Sequence, residues 1–228
     1  MPLLLLLAAL TSPCTATPGE DHLTCTGPID PLPADYGVHP LTAEQRQTMT
    51  GTVWRPGCPL GLDELSYVVV PYLDEQGMPK VGGIIIATRY AKDVEAIFQS
   101  LFDARFPIAR MQPVMEYGGD DHRSMADNNT SGFNCRNGPW SHHWSDHAYG
   151  NAIDVNPLWN PQVRDSKISP PEGVAWLDRK QVRPGMAIPK GTLVKTFEAH
   201  HWHWGGRWPK PKDYQHFSAH LADLHVRK

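Results

Sequence analysis

From Gly118 to Gly150 the chain is rich in Gly, Asn, Ser and Asp and follows neither a helical nor a strand period. A loop this long inside a compact domain is commonly functional, and this one runs directly into side chains of metal-ligand type. His147 and Asp154 stand on either side of Gly150, which allows a tight turn, and small Ala152 leaves room beside them. Ala152-Ile153-Asp154-Val155 reads as a short strand ended by Asn156-Pro157, so a loop imidazole and a strand carboxylate can converge on one point. Further on, Asp213-Tyr214-Gln215-His216 has the i, i+3 spacing that a helical turn puts on one face. His147, Asp154 and His216 are a sufficient three-ligand set for one catalytic Zn2+ per chain, whose fourth position holds water. Asp213 then stands where a general base would act on that water. Neither short spacing is specific by itself, since most single histidines are packing or surface residues. Each gains from its company: Ser145, Gly150 and Ala152 around the first, and the aromatic block Trp202–Trp208 ahead of the second.

The rest of the chain frames this constellation. With 40% hydrophobic and 20% charged residues among 228, it has the balance of a globular chain long enough to bury a core. A net charge of -3 offers no basic field for nucleic acid. The 12 His raise the prior for metal. Leu65–Leu73 and Val81–Thr88, joined by Asp74-Glu75-Gln76-Gly77, read as a hairpin. Val94, Ile97, Phe98, Leu101 and Phe102 have helical spacing within 89–106, which Pro107 ends. Ile108–Tyr117 is expected to be a strand, 158–190 a Pro-rich connection, Thr192–His200 a helix, and Asp213–Leu224 a final short helix. The fold expected is α+β with a mixed, mainly antiparallel sheet and flanking helices.

At the N-terminus, Leu3–Leu10 is too short for a membrane span, which needs ~20 residues. No later segment reaches that length either. The run matches the core of a secretory signal over residues 1–16, with Cys14-Thr15-Ala16 as the cleavage site, although no Lys or Arg precedes it. Export would make the chain extracytoplasmic and allow two of Cys25, Cys58 and Cys135 to pair, Cys25–Cys58 tying the extension to the domain. Residues 17–50 then form an irregular extension and 51–228 the catalytic domain.

These residues carry a resemblance. Ser-x-His-x-x-Gly-x-Ala-x-Asp at Ser145–Asp154, extended by Asn156-Pro157, resembles the signature of zinc D-alanyl-D-alanine carboxypeptidases and their L-alanyl-D-glutamate endopeptidase relatives. Trp202-x-Trp204-Gly205-Gly206-x-Trp208 and Asp213-x-x-His216-Phe217 resemble the C-terminal signature of one branch. The likeness reaches back through Trp54–Pro59 and Asn128–Arg136, so it covers roughly residues 50–220. It implies a hedgehog-like fold, a location in the bacterial cell envelope, and zinc held by His147, Asp154 and His216 with Asp213 as base. The implied substrate is the peptidoglycan stem peptide, most simply at its D-Ala-D-Ala end. An upstream arginine of the family stabilises the oxyanion. Arg123 is preferred for that role because it follows an expected core strand; Arg136 is the competitor, or binds a substrate carboxylate. Either arginine is equally readable as a solvated surface charge. Ser145, Tyr149, Trp202 and Trp204 are expected at the substrate. The family usually has Asp or Glu at Asp213 and Gly at His201; His200, His201 and His203 therefore read as surface residues, or as an extra ligand or proton donor. Two rival classes stay open: a zinc-containing wall-binding module without activity, against which the retention of Asp213 argues, and a structural protein whose His/Trp-rich tail binds metal. The oligomeric state is not legible.

Overall fold

A computed structural model of the chain describes residues 13–138 and 141–219. The apolar run Leu3–Leu10 lies outside those residues. The described chain begins with β1 (Cys14–Ala16) and β2 (Leu23–Cys25), an antiparallel pair. Next come β3 (Gly37–Pro40) and α1 (Ala43–Met49), whose Thr42 and Gln45 form a reciprocal N-terminal capping box. The expected hairpin is present as β4 (Leu65–Leu73) and β5 (Pro79–Ala87), and β3 pairs with β4 to make a three-stranded antiparallel sheet. The expected helix is present as α2 (Ala91–Asp103).

Period-2 alternation along β5 serves two cores. Ile84 and Ile86 pack with α2, and Ile85 and Ala87 face the layer formed by Met49, Val53, Val114, Met115 and Phe133. Both faces of the hairpin are thus covered, which accounts for its nearly continuous apolar run.

The stretch read as a strand over Ile108–Tyr117 is mostly not one. Only β6 (Arg110–Met111) is extended, and Pro113 leads into a single 3-10 turn over Val114–Tyr117. Nor is 118–150 wholly irregular: it holds α3 (Asp121–Ala126), capped by Asp120, and β7 (Asn129–Thr130), parallel to β6. β8 (Ala152–Asp154) is the expected short strand. The connection that follows forms a hairpin, β9 (Gln162–Arg164) and β10 (Lys167–Ser169). Then come α4 (Thr192–Ala199), as expected, and β11 (His203–Trp204).

The final helix expected over Asp213–Leu224 is absent from the described residues; 220–224 lie outside them. In its place are β12 (Lys212–Asp213) and β13 (His216–Ser218), separated by a bend at Tyr214 and Gln215. Their backbone groups are taken by neighbouring strands, β12 by β9 and β13 by both β8 and β11. A four-residue Asp-x-x-His spacing serves a bend between two strand ends as well as a helical turn. The α+β, mainly antiparallel reading holds.

The disulfides also differ from expectation. Cys25 pairs with Cys14, its register partner across β1 and β2, and Cys58 pairs with Cys135. A cut after Ala16 would remove Cys14 from the first bridge. No helix among the described residues is long and apolar enough to cross a membrane.

Phe197 on α4 stacks on Phe217 of β13 with ring centroids 4.2 Å apart, and both are fully buried. This contact seats the strand that carries His216. Phe197→Ala should therefore destabilise the fold by about 3–5 kcal/mol. Chemical denaturation checks this, and a loss below about 1 kcal/mol would mean that the strand is held without it.

Candidate metal centre

Three local structures bring the site together. His147 sits in a 3-10 turn over Asp146–Tyr149 that ends at Gly150, where φ is 55°. A side chain at 150 would meet the Ala87 backbone nitrogen at 2.7 Å, so this turn against the end of β5 requires glycine. Asp154 ends β8, where its N–H and C=O both bond Ser131 and its Cα partner on β13 is His216. Register alone thus sets His216 beside Asp154.

All three side chains are buried, and each offers a ligand atom within 4.8 Å of the others. His147 Nδ1 lies 2.7 Å from the Gly132 carbonyl, a contact that orients the ring and directs Nε2 at the cluster, 3.2 Å from Asp154 Oδ2. His216 Nδ1 lies 3.2 Å from Asp154 Oδ1, and its Nε2 is 3.4 Å from Asp146 Oδ2. The indole of Trp208 leans on the His216 ring at 5.3 Å. Asp213, only 5% exposed, lines the same cleft of about 930 Å3.

Three carboxylates, Asp146, Asp154 and Asp213, thus converge on two imidazoles in a buried place, where unpaired charge is costly. Burial opposes ionisation of Asp154, but His147 and His216 outweigh it and hold its carboxyl well below the usual range. Burial would likewise lower the His216 pKa, yet Asp146, Asp154 and Asp213 raise it to about 10. Burial pushes Asp213 up to about 6, against His216 and with the help of Asp154's charge. His216 Nε2 and Asp213 Oδ1 are buried without a hydrogen-bond partner. Orphaned atoms and excess carboxylate are what a divalent cation with attached water would satisfy, so the residues fit one.

The remaining expected site residues divide. Ser145 lines the cleft. Arg136 does too, half-buried and paired with Asp121 at 2.8 Å. Arg123, preferred from the sequence, is exposed on α3 and does not line the cleft, because no core strand precedes it. Tyr149 is 37% exposed and also lies off the cleft lining. Trp202 and Trp204 are core residues rather than cleft walls: Trp202 packs edge-on to Tyr90 and Phe197, and Trp204 donates its N–H to the Tyr214 carbonyl at 2.9 Å. His200, His201 and His203 do not line the cleft. Asp146, Gln162 and Trp208 do, and were not singled out. Adjacency to His147 flags Asp146 and the aromatic block flags Trp208; nothing local in the sequence flags Gln162.

The sequence model of the D-alanyl-D-alanine carboxypeptidase family matches residues 140–219, which carry His147, Asp154, Asp213 and His216. Residues 140–219 are thus similar to this family. No curated protein and no solved structure gave a match. The family match and the buried His-Asp-His group together support a hydrolase of the peptidase kind.

Metal ligation requires neutral imidazole, whereas His216 holds its proton up to about pH 10. Uptake of Zn2+ must therefore displace that proton, and affinity should rise by about tenfold per pH unit between about pH 6 and pH 9. Competition against a chelator of known pH dependence measures this. A flat profile would mean that no proton is displaced, and that His216 is neutral in the metal-free protein over this range.

Proposed function

We propose that the chain is a zinc peptidase of the bacterial cell envelope that hydrolyses amide bonds in peptidoglycan stem peptides, first of all as a D-alanyl-D-alanine carboxypeptidase. The observation that carries this is the buried His147–Asp154–His216 group with Asp213 beside it in one cleft, inside the segment that the family matches. The Cys58–Cys135 disulfide, which a cut after Ala16 leaves intact, favours an extracytoplasmic location, since reducing compartments keep such thiols apart. On this reading the domain is hedgehog-like, and residues 17–50, read from the sequence as an irregular extension, belong to it: β3 joins the β4–β5 sheet, Leu41 and Met49 enter the core, and Asp21 accepts from the Thr192 N–H at the N-terminus of α4.

When bound by His147, Asp154 and His216, a zinc ion supplies Lewis acidity toward the peptide carbonyl and the attacking water. Asp213 takes the water's proton on Oδ1, the oxygen without a partner, and passes it to the leaving nitrogen. Arg136 brings its guanidinium to the same cleft, where it can meet the oxyanion or a terminal carboxylate. Ser145 and Trp208 line the cleft that would take the peptide.

Two observations favour the second reading, the L-alanyl-D-glutamate endopeptidase. Arg136 already has a carboxylate partner in Asp121, and a cleft of about 930 Å3 has room for several residues on both sides of a scissile bond.

Mass spectrometry of purified wall treated with the zinc-loaded protein separates these. Free D-Ala released by wild type, and reduced about 10²–10⁴-fold in Asp213→Ala, is the expected outcome. Cuts after L-Ala, with the same loss, would select the endopeptidase. Absence of any product would sink both.

A further inference from the structure

The bend that carries Asp213 and His216 is fastened to the open end of the β9–β10 hairpin, where Gln162 and Ser169 are register partners. On the β10 side, Gln215 Nε2 donates to the Ser169 carbonyl at 3.3 Å. On the β9 side, Gln162 is the register partner of Asp213 and donates its side-chain Nε2–H to Asp213 Oδ2. Lys167, Ile168 and Ser169 of this hairpin also line the cleft, so a bound peptide lies against the element that carries Gln162.

The bond from Gln162 makes the two oxygens of Asp213 unequal. Oδ2 is engaged, while Oδ1 is buried with no partner. The terminal torsion of an aspartate is broad and roughly two-fold, so a free carboxylate samples both orientations. One donor on one oxygen selects between them. The sheet does not need that donor, because Gln162 joins β10 and β12 through its backbone. Its side chain is half-buried at the cleft wall and is spent on the carboxylate.

We propose that Gln162 is a positioning residue for the hydrolysis: its amide holds Asp213 Oδ2 and so presents Oδ1 to the reacting water. The proposal rests on the reading of Asp213 as general base.

The test uses zinc-loaded full-length protein and soluble muropeptides, comparing wild type, Gln162→Met, Asp213→Asn and the double variant. Methionine keeps the length of glutamine and removes the donor. Gln162→Met should lower kcat by about tenfold or more, the range of lost outer-shell contacts, while KM stays within about twofold. Metal content and melting temperature should match wild type, and Gln162→Ala, which introduces no bulk, should show the same loss. In the Asp213→Asn background the Gln162→Met change should cost nothing further, since the two act as one unit. Wild-type kcat in Gln162→Met, or a loss that adds in full to that of Asp213→Asn, would overturn the proposal while leaving Asp213 as base. Undiminished activity of Asp213→Asn alone would instead remove the base reading on which the proposal stands.

Discussion

The pairing of β13 with β8 is the interaction on which the site depends. It places the His216 and Asp154 backbones opposite one another, and the Ser131 bridge fixes Asp154 from its other side. A slip of one residue along β13 would turn His216 away from Asp154 and Phe217 out of the core. Hydrophobic burial thus enforces the polar geometry: Phe217 against Phe197 and Trp202 against Phe197 hold the strand in register. The buried tryptophans near the C-terminus act on the site at one remove, through the strands they seat.

Electrostatics then completes what register begins. Asp154 lies within 3.2 Å of both imidazoles, and Asp146 approaches His216 from a third direction. Without a cation, protons must neutralise this cluster, which is why His216 holds one so firmly. A cation that replaced this proton would free His216 as a ligand beside His147 and Asp154, with Asp213, tied at one oxygen, facing the cleft. On the proposed reading, that arrangement is the one that metal-assisted peptide hydrolysis uses.

Local periodicity made the frame legible. The β-branched run of β4 and β5 and the i, i+3, i+4 spacing of α2 each carry their structure within a few residues. Two of the candidate ligands, His147 and Asp154, stood out because Ser145–Asp154 packs a turn glycine, a small residue and two ligand types into one segment. What escaped was non-local. Asp213 and His216 have a spacing that suits a helical turn, and only the partners β9 and β8 decide for strands. Gln162 lies 51 residues from the carboxylate it binds, within a stretch that reads as mere connection. Trp202 and Trp204 carry the same apolar area whether they line a cleft or fill a core. Arg136 and Arg123 differ through Asp121, which draws one of them to the cleft. Cys14 pairs with Cys25 because two short strands set them opposite one another, a register that cysteine counting does not reveal.

Zinc K-edge absorption spectroscopy of the purified protein, together with its metal content, decides whether His147, Asp154 and His216 hold a metal. About one zinc per chain is expected, in a shell of nitrogen and oxygen with two imidazoles and no sulfur. His147→Ala and His216→Ala should each strip that metal while the fold persists. Sulfur in the shell, or full zinc content after either histidine is removed, would contradict the account.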